Sequence, residues 1–511
     1  MTLTSLEFFV FFALSVIFYY LFPKKYRWIC LLACSAVFFI LSTPPAAGLY
    51  LILCIIITHF GSLKICHLRR SDTAAARKIL ICVICADLFL LALCKYNGFF
   101  LLHWNVAASR MHLPAGPVEL SLLIPLGISF YTLQAVGMVA DTWRGISQPE
   151  SNLFKTALFI GFYPQLTAGP IARYGEMRDE LFNGHDFSWV NFTHGLQRMI
   201  WGLFKKLVLS SRLAVLVDAV YGNAELYTGF YIWAAAGLFM LQLYTDFSGC
   251  MDIIIGAAET YGIVLPENFR TPFFAQTIQE FWQRWHITLG SFMRDYAFFP
   301  IQRSKVIARL RAGLEKHFGK KTSDRISVWF SLLCIWLVIG LWHGGAYKFI
   351  LGHGLWFWLC IVAERTAAPI GNRLTGLLKI RTDNFSWRLF RSLRTFTLVS
   401  FGNIFFRAGS LKGAFHILHL GFSAPVNFHI FLDGSFAKMG LTEKELVLTA
   451  AGLLILLLVS VISRNGSVRQ QIDHQNLAFR WLLYFLLIFA VIIFGKYGPG
   501  CDAADFIYKG F

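Results

Sequence analysis

Residues 231–257 read YIWAAAGLFMLQLYTDFSGCMDIIIGA, a run of 27 residues in which the only charged side chains are Asp246 and Asp252. A helix that crosses a bilayer needs about 20 predominantly apolar residues, so this run is long enough to span a membrane. Its apolar residues are continuous and do not alternate with polar ones, as they would in a strand of a transmembrane barrel. The run therefore predicts a membrane helix, and its two carboxylates indicate function, because charge at membrane depth is costly.

Comparable apolar runs follow one another along almost the whole chain. We predict roughly a dozen membrane segments, at residues 6–21, 28–41, 47–63, 79–93, 120–139, 156–171, 231–257, 326–341, 349–362, 394–406, 446–461 and 481–493. Some runs are short for a full crossing or are interrupted by proline or glycine. We expect re-entrant or interfacial helices among these segments.

The composition supports this interpretation. The chain of 511 residues is 57% hydrophobic and only 14% charged, whereas a soluble domain carries about 25% charged residues. These values exclude a soluble enzyme and a disordered protein. We predict an all-α polytopic membrane protein, organised as one integral-membrane domain over residues 1–511.

The positions of lysine and arginine predict the orientation of the segments, because short cytoplasmic loops retain basic residues. Basic clusters follow the first and third runs, fill residues 303–325 and 365–394, and recur at Arg464, Arg469 and Arg480. We expect these positions on the cytoplasmic face of a bacterial inner membrane and both termini on the outer face. The first run is not expected to be a cleaved signal peptide, since its positive charges follow the apolar segment.

The net charge of +18 does not indicate nucleic-acid binding, because the basic residues cap membrane segments and are not interleaved with stacking aromatics on one surface. We expect them to contact anionic lipid headgroups. An acidic protein is the alternative partner for this face. Apolar residues at helical spacing between basic ones are typical of a helix lying in the interface, and residues 306–318 show this pattern.

The eleven cysteines predict neither a disulfide framework nor a metal site. They lie mostly within apolar runs and lack metal-ligand spacing, so ordinary packing explains them. The chain also lacks a phosphate-binding glycine loop and an HExxH pattern. We therefore predict no metal and no tightly bound cofactor.

Polar residues concentrate in residues 241–302, where a proline-broken stretch follows the longest apolar run. Besides the two aspartates, this region contains Glu267, Asn268, Arg270, Glu280, Arg284, His286, Arg294 and Asp295. Irregular backbone is tolerated at membrane depth only where it is buried in protein or lines a water-filled cavity. We therefore predict that residues 241–302 form the wall of an internal chamber.

A second polar feature is His343, in the sequence VIGLWHGGAYKF at or near the end of an apolar run. A neutral imidazole can take a proton from an alcohol near neutral pH and return it to a leaving group. A histidine at a helix end is also a common structural residue. Catalysis therefore needs a more specific signal than this position.

Several long motifs supply that signal. The strings YTDFSGCMDIIIG, PENFRTPFFAQTIQEFWQRWHITLGSFMRDYAFFPI and GLWHGGAYKFIL resemble the membrane-bound O-acyltransferases, most closely the bacterial branch that includes alginate O-acetyltransferase and the D-alanyl transfer protein. PLGISFYTLQAVGMVADTWRG, FYPQLTAGPIARY and TLVSFGNIFFRAGSL extend the match over about residues 123–410. One departure is GHGLWFW after Leu351, where the family pattern has a tryptophan near position 352; we expect it to alter the tunnel lining only.

The resemblance implies a ring of helices around a tunnel, with an acyl thioester entering from the cytoplasm and the acyl group leaving on the far side. It places a motif-rich catalytic core at residues 241–345 and makes His343 the general base on the acceptor hydroxyl. His286 would position or polarise the acyl group, with a purely structural role as the alternative. Further motif positions, expected to support the tunnel or the histidines, are Asp246, Asn268, Trp285, Arg294, Asp295 and Trp342.

The C-terminal tail, residues 497–511, ends in the aromatic sequence FIYKGF. Its Phe506, Tyr508 and Phe511 resemble an FxYxxF motif of this branch, whose tyrosine is thought to carry the acyl group. A phenol ionises more easily than an aliphatic alcohol and leaves well. We therefore expect Phe506 and Phe511 to anchor an extracytoplasmic tail while Tyr508 accepts the acyl group, and a frayed terminus is the alternative.

These observations favour an O-acyltransferase that moves an acyl group, most simply acetyl, from a coenzyme A or acyl-carrier-protein thioester to an envelope polysaccharide. An extracytoplasmic acyltransferase is the expected partner for the last transfer. The same-class alternative is D-alanyl transfer from a carrier protein to teichoic acid, and a sterol or lipid acyltransferase of the eukaryotic branch fits the motifs less well. A transporter or flippase without acyl chemistry is the alternative from a different class.

Overall fold

The computed structural model describes residues 1–114, 116, 122–424, 428–431 and 433–497. Within these ranges the chain forms helices and no strand, apart from an isolated bridge between Phe269 and Trp285. This confirms the all-α expectation. The phenylalanines and tyrosine of the predicted tail motif, Phe506, Tyr508 and Phe511, lie outside the described residues.

The α-helices follow one another with short connections. They are α1 (Leu6–Leu21), α2 (Arg27–Ser42), α3 (Gly48–Ser71), α4 (Thr73–Lys95), α5 (Asn97–Arg110), α6 (Ile128–Arg144), α7 (Leu153–Gly161), α8 (Tyr163–Leu166), α9 (Tyr174–Phe182), α10 (Trp189–Leu203), α11 (Ser211–Gly222), α12 (Phe230–Thr260), α13 (Ile278–Arg284), α14 (Ile287–Phe292), α15 (Phe299–Gln302), α16 (Lys305–Phe318), α17 (Lys320–His343), α18 (Leu355–Leu377), α19 (Phe385–Arg407), α20 (Leu411–Ser423), α21 (Glu443–Ile462), α22 (Val468–Asp473) and α23 (Leu477–Phe494). Three π-helices interrupt them, at Phe204–Ser210, Met293–Phe298 and Lys348–Gly354. Short 3₁₀ turns occur at Lys24–Tyr26, Pro45–Ala47, Pro272–Phe274, Phe428–Phe431, Ser435–Met439 and Ser463–Asn465.

The described chain separates into two compact units. The first comprises Met1–Leu203 and Gly249–Pro266, and the second comprises Phe204–Ser248 and Glu267–Lys496. The boundaries fall inside the predicted catalytic core, so residues 241–345 contribute to both units. His286 and His343 both belong to the second unit.

The first unit contains a buried cluster of three hydroxyl groups. Ser15 Oγ lies 2.5 Å from Tyr261 Oη and 3.1 Å from Tyr163 Oη, and the two tyrosine hydroxyls are 2.6 Å apart. Polar groups in an apolar interior must satisfy one another. This cluster therefore joins α1, α8 and the segment after α12 without leaving those hydroxyls unpaired.

Glycines bring α10 and the end of α12 into close contact within the first unit. A Cβ on Gly195 would lie 2.5 Å from the carbonyl oxygen of Gly256, and one on Gly202 would lie 2.5 Å from that of Gly249. Side chains at these positions would force the helices apart. Such small residues are characteristic of helix contacts in membranes, where backbones approach closely.

The second unit has an apolar core between α11, the start of α12, α19 and α20. Leu216, Val220, Ile232 and Ile404 are among its fully or nearly fully buried members. The π-helix Lys348–Gly354 packs on α17 and α19 beside this core. The second unit thereby holds in place the segment that faces His343.

Six helical segments of the described chain have the length and hydropathy required to cross a membrane. They are Lys24–Ser42, Pro45–Ser71, Phe230–Thr260, Lys305–His343, Glu443–Asn465 and Leu477–Phe494, and α4 with α5, bent by 79°, forms a further candidate. In α23 only Val491 is buried, as expected for a helix whose surface faces lipid. Of the other predicted segments, those in α18 and α19 form helices of 23 residues that do not meet the hydropathy and charge requirement, and the rest form shorter or broken helices. Roughly a dozen crossings stays a prediction.

Two predicted segments differ from the helices that form. The run 156–171 is broken after Gly161, and the next helix, α8, has Pro164 in its first turn, because proline cannot continue a preceding helix. The run 120–139 yields a helix only from Ile128, after Gly127 with φ 72°. A Cβ at Gly127 would lie 1.6 Å from the carbonyl oxygen of Leu166, so this close approach fixes where α6 begins.

Candidate active site

His286 occupies a tight turn between α13 and α14. Its φ of 47° is in the left-handed region. Non-glycine residues rarely adopt this conformation, and those that do often lie at functional sites. The side chain is 3% exposed, and its Nδ1 lies 3.2 Å from Asn268 Oδ1. A backbone hydrogen bond also attaches this turn to Asn268, because the amide of Ile287 donates to the carbonyl of Asn268.

Asn268 fixes the protonation pattern of His286. Its Oδ1 also accepts hydrogen bonds from the amide and hydroxyl of Thr288, at 3.1 and 3.0 Å. A backbone amide can only donate, so the oxygen of the Asn268 side chain must point toward these partners. The Nδ1 of His286 is then the donor to that oxygen, which leaves Nε2 as the basic nitrogen of the neutral ring.

Burial reinforces the neutral state. His286 lies outside the long apolar helices, and its removal from water lowers its pKa from 6.5 to about 3, because the charged form loses hydration. A neutral imidazole whose Nε2 can only accept a hydrogen bond suits positioning better than it suits polarisation of a carbonyl group or proton abstraction and return. The role of His286 in positioning the acyl group stays a prediction.

Aromatic rings connect His286 to His343. The His286 ring contacts Phe247 at 4.8 Å and Trp342 at 5.8 Å between centroids, and Trp342 contacts His343 at 5.1 Å. Trp342 is 5% exposed and His343 is 4% exposed. The two predicted histidines therefore lie on either side of Trp342 in one buried region of the second unit.

His343 is the last residue of α17, and glycines shape the backbone around it. A Cβ on Gly340 would lie 2.5 Å from the carbonyl oxygen of Phe349, and one on Gly344 would lie 2.7 Å from the Phe349 ring. The π-helix Lys348–Gly354 can approach the end of α17 only because both residues are glycine. The glycines of the GLWHGG sequence thus allow the π-helix Lys348–Gly354 to lie beside His343.

That π-helix carries a third histidine, His353, which the sequence analysis did not select. The His353 ring lies 5.4 Å from the His343 ring, and the Phe406 ring contacts both, at 5.2 Å from His343 and 5.3 Å from His353. His353 is 2% exposed. The signal was present in the departure from the family pattern at GHGLWFW, because a histidine in an apolar helical run is itself a functional indication.

The remaining predicted residues divide by their partners. Trp285 is buried against Phe269, Phe281 and Tyr244, so it packs the turn that carries His286. Arg294 Nε lies 2.8 Å from Oδ1 of its neighbour Asp295, and the Arg294 side chain is 59% exposed. The supporting role of this pair stays a prediction.

Asp246 forms a buried ion pair that sequence reasoning also missed. Lys206 Nζ lies 2.6 Å from Asp246 Oδ1, and both side chains are 3% exposed. Lys205, next to it in the π-helix Phe204–Ser210, donates to Ser248 at 2.8 Å. In the first unit Asp252 pairs with Arg198 at 3.0 Å. Both intramembrane carboxylates of α12 are therefore matched by cations, as buried charges require.

No group of three or more metal-ligating side chains occurs in the part of the chain that the structure describes. The histidines of the site contact aromatic rings and amide groups. The arrangement thus offers acid–base and hydrogen-bonding chemistry on a hydroxyl or carbonyl group, which is what acyl transfer requires.

Comparison with known proteins agrees with this chemistry. The sequence model of the membrane-bound O-acyltransferase family matches residues 148–312. A probable alginate O-acetylase of Pseudomonas syringae pv. tomato is 30% identical over 397 residues, which cover 78% of this chain and 70% of the relative. This chain belongs to the membrane-bound O-acyltransferase family.

Other relatives of this O-acyltransferase act on different envelope polymers. A peptidoglycan O-acetyltransferase of Helicobacter pylori is 30% identical over 390 residues, covering 71% of this chain and 68% of the relative. A teichoic acid D-alanyltransferase of Bacillus subtilis is 27% identical over 245 residues, covering 46% and 58%. Family membership confirms that the chain is a membrane enzyme of the O-acyltransferase class, and it removes the support for a transporter without acyl chemistry.

Proposed function

We propose that this enzyme transfers an acetyl group from a cytoplasmic thioester across the bacterial inner membrane for O-acetylation of a cell-envelope polysaccharide. The observation that carries the proposal is the burial of His343 and His286 on either side of Trp342. The names of the relatives support the rest, since two of the three are acetyl-transferring enzymes of envelope polysaccharides. The bacterial relatives and the basic loops support a bacterial inner-membrane location.

In the proposed reaction His343 acts as the general base. It takes the proton of the acceptor hydroxyl as the hydroxyl oxygen attacks the thioester carbonyl carbon. The tetrahedral intermediate then collapses, the carbon–sulfur bond breaks, and His343 returns the proton to the leaving thiolate. His286, kept neutral by burial and held in one tautomer by Asn268, orients the acyl group through contact with its ring, because its Nε2 can accept but not donate a hydrogen bond.

We further propose that the first acceptor is Tyr508 in the C-terminal tail and that an extracytoplasmic acyltransferase moves the group on to the polysaccharide. The support is the aromatic tail sequence and the suitability of a phenyl ester as a transferable acyl group. The donor is a coenzyme A thioester or an acyl carrier protein. The basic residues of α16 and the start of α17 offer a docking face for either anionic donor.

The decisive experiment measures alkali-labile esters on envelope polysaccharide from cells that express the wild-type chain or His343→Ala. We expect the ester content to disappear in His343→Ala while the variant remains at wild-type abundance in the membrane. His67→Ala, which alters an exposed histidine, serves as the matched control and should leave the esters unchanged. Undiminished esters in His343→Ala would refute the proposal.

A second measurement tests the tail. Intact-mass analysis of the C-terminal peptide should show an acyl increment on Tyr508 in the wild type and none in His343→Ala. The size of the increment also separates acetyl from D-alanyl transfer, the alternative that the teichoic acid relative favours. Normal polysaccharide esters in Tyr508→Phe would rule out the tyrosine intermediate and leave direct transfer to the polymer.

A further inference from the structure

His353 is buried next to His343, and the described residues leave one of its ring nitrogens without a hydrogen bond. Its ring contacts Trp282, Phe357 and Phe406, at centroid distances of 5.9, 4.8 and 5.3 Å. Among the described residues, its buried Nδ1 has no hydrogen-bond partner. Packing alone would be served better by phenylalanine or leucine, because an unsatisfied buried polar group costs about 1–3 kcal/mol.

Trp282 presents the same anomaly beside it. The indole Nε1 of Trp282 is buried and likewise lacks a hydrogen-bond partner within the described part of the chain. Its ring also contacts Trp336 and Phe357, at 5.1 and 4.8 Å. Two polar atoms on touching rings are thus both unpaired, a rare condition in native interiors that calls for an explanation.

The backbone around His353 determines the position of its ring. His353 lies between Gly352 and Gly354 in the π-helix Lys348–Gly354, and π-helices occur frequently at functional sites. A Cβ on Gly352 would lie 2.7 Å from the Phe405 ring, and one on Gly354 would lie 2.6 Å from the carbonyl oxygen of Trp336. The chain therefore uses two glycines to hold one histidine against His343.

We propose that Nε1 of Trp282 and Nδ1 of His353 bind the carbonyl oxygen of the acyl thioester while His343 acts on the attacking hydroxyl. The inference rests on the proposed acyl transfer. A carbonyl oxygen has two lone pairs and accepts two hydrogen bonds, an indole N–H can only donate, and a neutral imidazole donates from Nδ1 in one tautomer. The thioester carbonyl is the group in this reaction that matches two donors.

The same two donors stabilise the intermediate. When the hydroxyl oxygen bonds to the carbonyl carbon, the carbonyl electron pair moves onto oxygen and forms an oxyanion. Both N–H groups then donate to that charge, and the pair returns to carbon as the thiolate leaves and takes its proton from His343. His353 and Trp282 begin and end in the same protonation state, so they require no further reactant.

The test uses variants that change the polar atoms and little else. Trp282→Phe keeps an aromatic ring and removes the N–H, His353→Leu removes the imidazole, and His353→Asn retains a donor near the position of Nδ1. Phe357→Leu is the matched control, because Phe357 contacts both rings but carries no polar atom. Cells that express each full-length variant are pulsed with labelled acetate, and the rate of ester formation on envelope polysaccharide is divided by the amount of enzyme in the membrane.

We expect Trp282→Phe and His353→Leu each to lower the rate about a hundredfold, the loss typical of one oxyanion donor. His353→Asn should recover on the order of tenfold of that loss, and Phe357→Leu should remain near the wild-type rate. Melting temperatures of the purified variants should stay close to one another. Recovery by His353→Asn separates a hydrogen-bonding role from packing, because leucine and asparagine have the same number of side-chain heavy atoms in the same branched arrangement and asparagine fills no more space.

Three results would overturn the inference. These are wild-type rates in folded Trp282→Phe and His353→Leu, a loss in Phe357→Leu as large as theirs, or no advantage of His353→Asn over His353→Leu. Such results would mean that the two nitrogens do not bind the acyl carbonyl. If His343→Ala retained full ester formation, the proposed function itself would fail. If His343→Ala were inactive while Trp282→Phe and His353→Leu kept the wild-type rate, only the inference about the carbonyl site would fail.

Discussion

Single side chains determine the chemistry of the candidate site, and Asn268 is the clearest case. Its Oδ1 accepts hydrogen bonds from His286 and from both donors of Thr288. Asn268→Ala should lower the melting temperature of the purified protein and abolish activity, because each buried donor left unpaired costs about 1–3 kcal/mol. Thr288→Val removes only the hydroxyl donor and should have a much smaller effect. Equal melting temperatures and activities for both variants would show that Asn268 does not anchor His286.

The burial of His286 predicts a dependence of stability on pH. Its pKa is about 3 in the folded protein against an ordinary 6.5, so below pH 6.5 the unfolded chain binds a proton that the folded chain does not. The free energy of unfolding therefore falls as the pH drops from 6.5 toward 3, by up to about 1.4 kcal/mol per pH unit from this group.

His286→Gln tests this dependence, because glutamine can still donate to Asn268 but does not titrate. Its melting temperature should fall less steeply than that of the wild type between pH 6.5 and pH 4. His67→Gln removes an exposed histidine and should retain the wild-type slope. An unchanged slope in His286→Gln would mean that His286 gains a proton without disturbing the fold.

Sequence reasoning selected the residues that belong to recognisable motifs and missed those defined only by packing. His343, His286 and Asn268 lie in long motifs, and the structure places them in one buried region. His353 and Lys206 were not selected, although each is a polar residue in an apolar run. Their partners, Phe406 and Asp246, are distant in sequence, so only the folded chain brings them together.

At the scale of helices, apolar runs predicted the existence of elements better than their ends. The run 6–21 coincides with α1, whereas the run 326–341 lies within the longer α17, Lys320–His343. A helix continues past its apolar part wherever polar residues still satisfy its backbone, so hydropathy underestimates its length. The start of α6 after Gly127 depends on a contact with Leu166, and no local pattern contains that information, whereas Pro164 signals the break after Gly161 locally.

The contact between α17 and the π-helix Lys348–Gly354 provides a test at this scale. Gly340→Ala would place a methyl group 2.5 Å from the carbonyl oxygen of Phe349, and backbone at that distance must move. We expect a loss of about 1–3 kcal/mol in stability. We also expect a marked loss of activity, because the π-helix that carries His353 would move away from His343. The measurements are the melting temperature and the ester content of envelope polysaccharide.

Gly313→Ala in α16 is the matched control. A Cβ at Gly313 meets no atom within 4 Å, and alanine favours a helix over glycine by up to about 1 kcal/mol. This variant should be as stable as the wild type or slightly more so, with full activity. If Gly340→Ala behaved in the same way, close backbone approach would not be what positions the site.

At the scale of the whole molecule, the scarcity of charge determines both the fold class and the topology. Large apolar side chains are exposed on many helices, including Phe485 and Leu486 of α23 at 49% and 58%, as expected where lipid replaces water. Buried charges are few, and those of α12 are paired. The remaining basic residues, at the ends of helices, carry the information about orientation.

That orientation predicts which lysines face each side of the membrane. Lys320 and Lys321 begin α17 in the basic region 303–325, which we expect in the cytoplasm, whereas Lys438 lies in the connection between α20 and α21. Because α19 starts within the basic cluster 365–394, which we also expect in the cytoplasm, and ends at Arg407, one crossing between these points would place that connection, and Lys438 with it, on the outer face. An amine reagent that does not cross membranes should therefore modify Lys438 in spheroplasts and Lys320 and Lys321 only in inverted vesicles, as read by peptide mass spectrometry. Lys320, Lys321 and Lys438 are all exposed in the structure, so accessibility to the reagent depends on the side of the membrane alone. Modification of Lys320 and Lys321 in intact spheroplasts would reverse the predicted topology, and with it the proposed direction of acyl transfer.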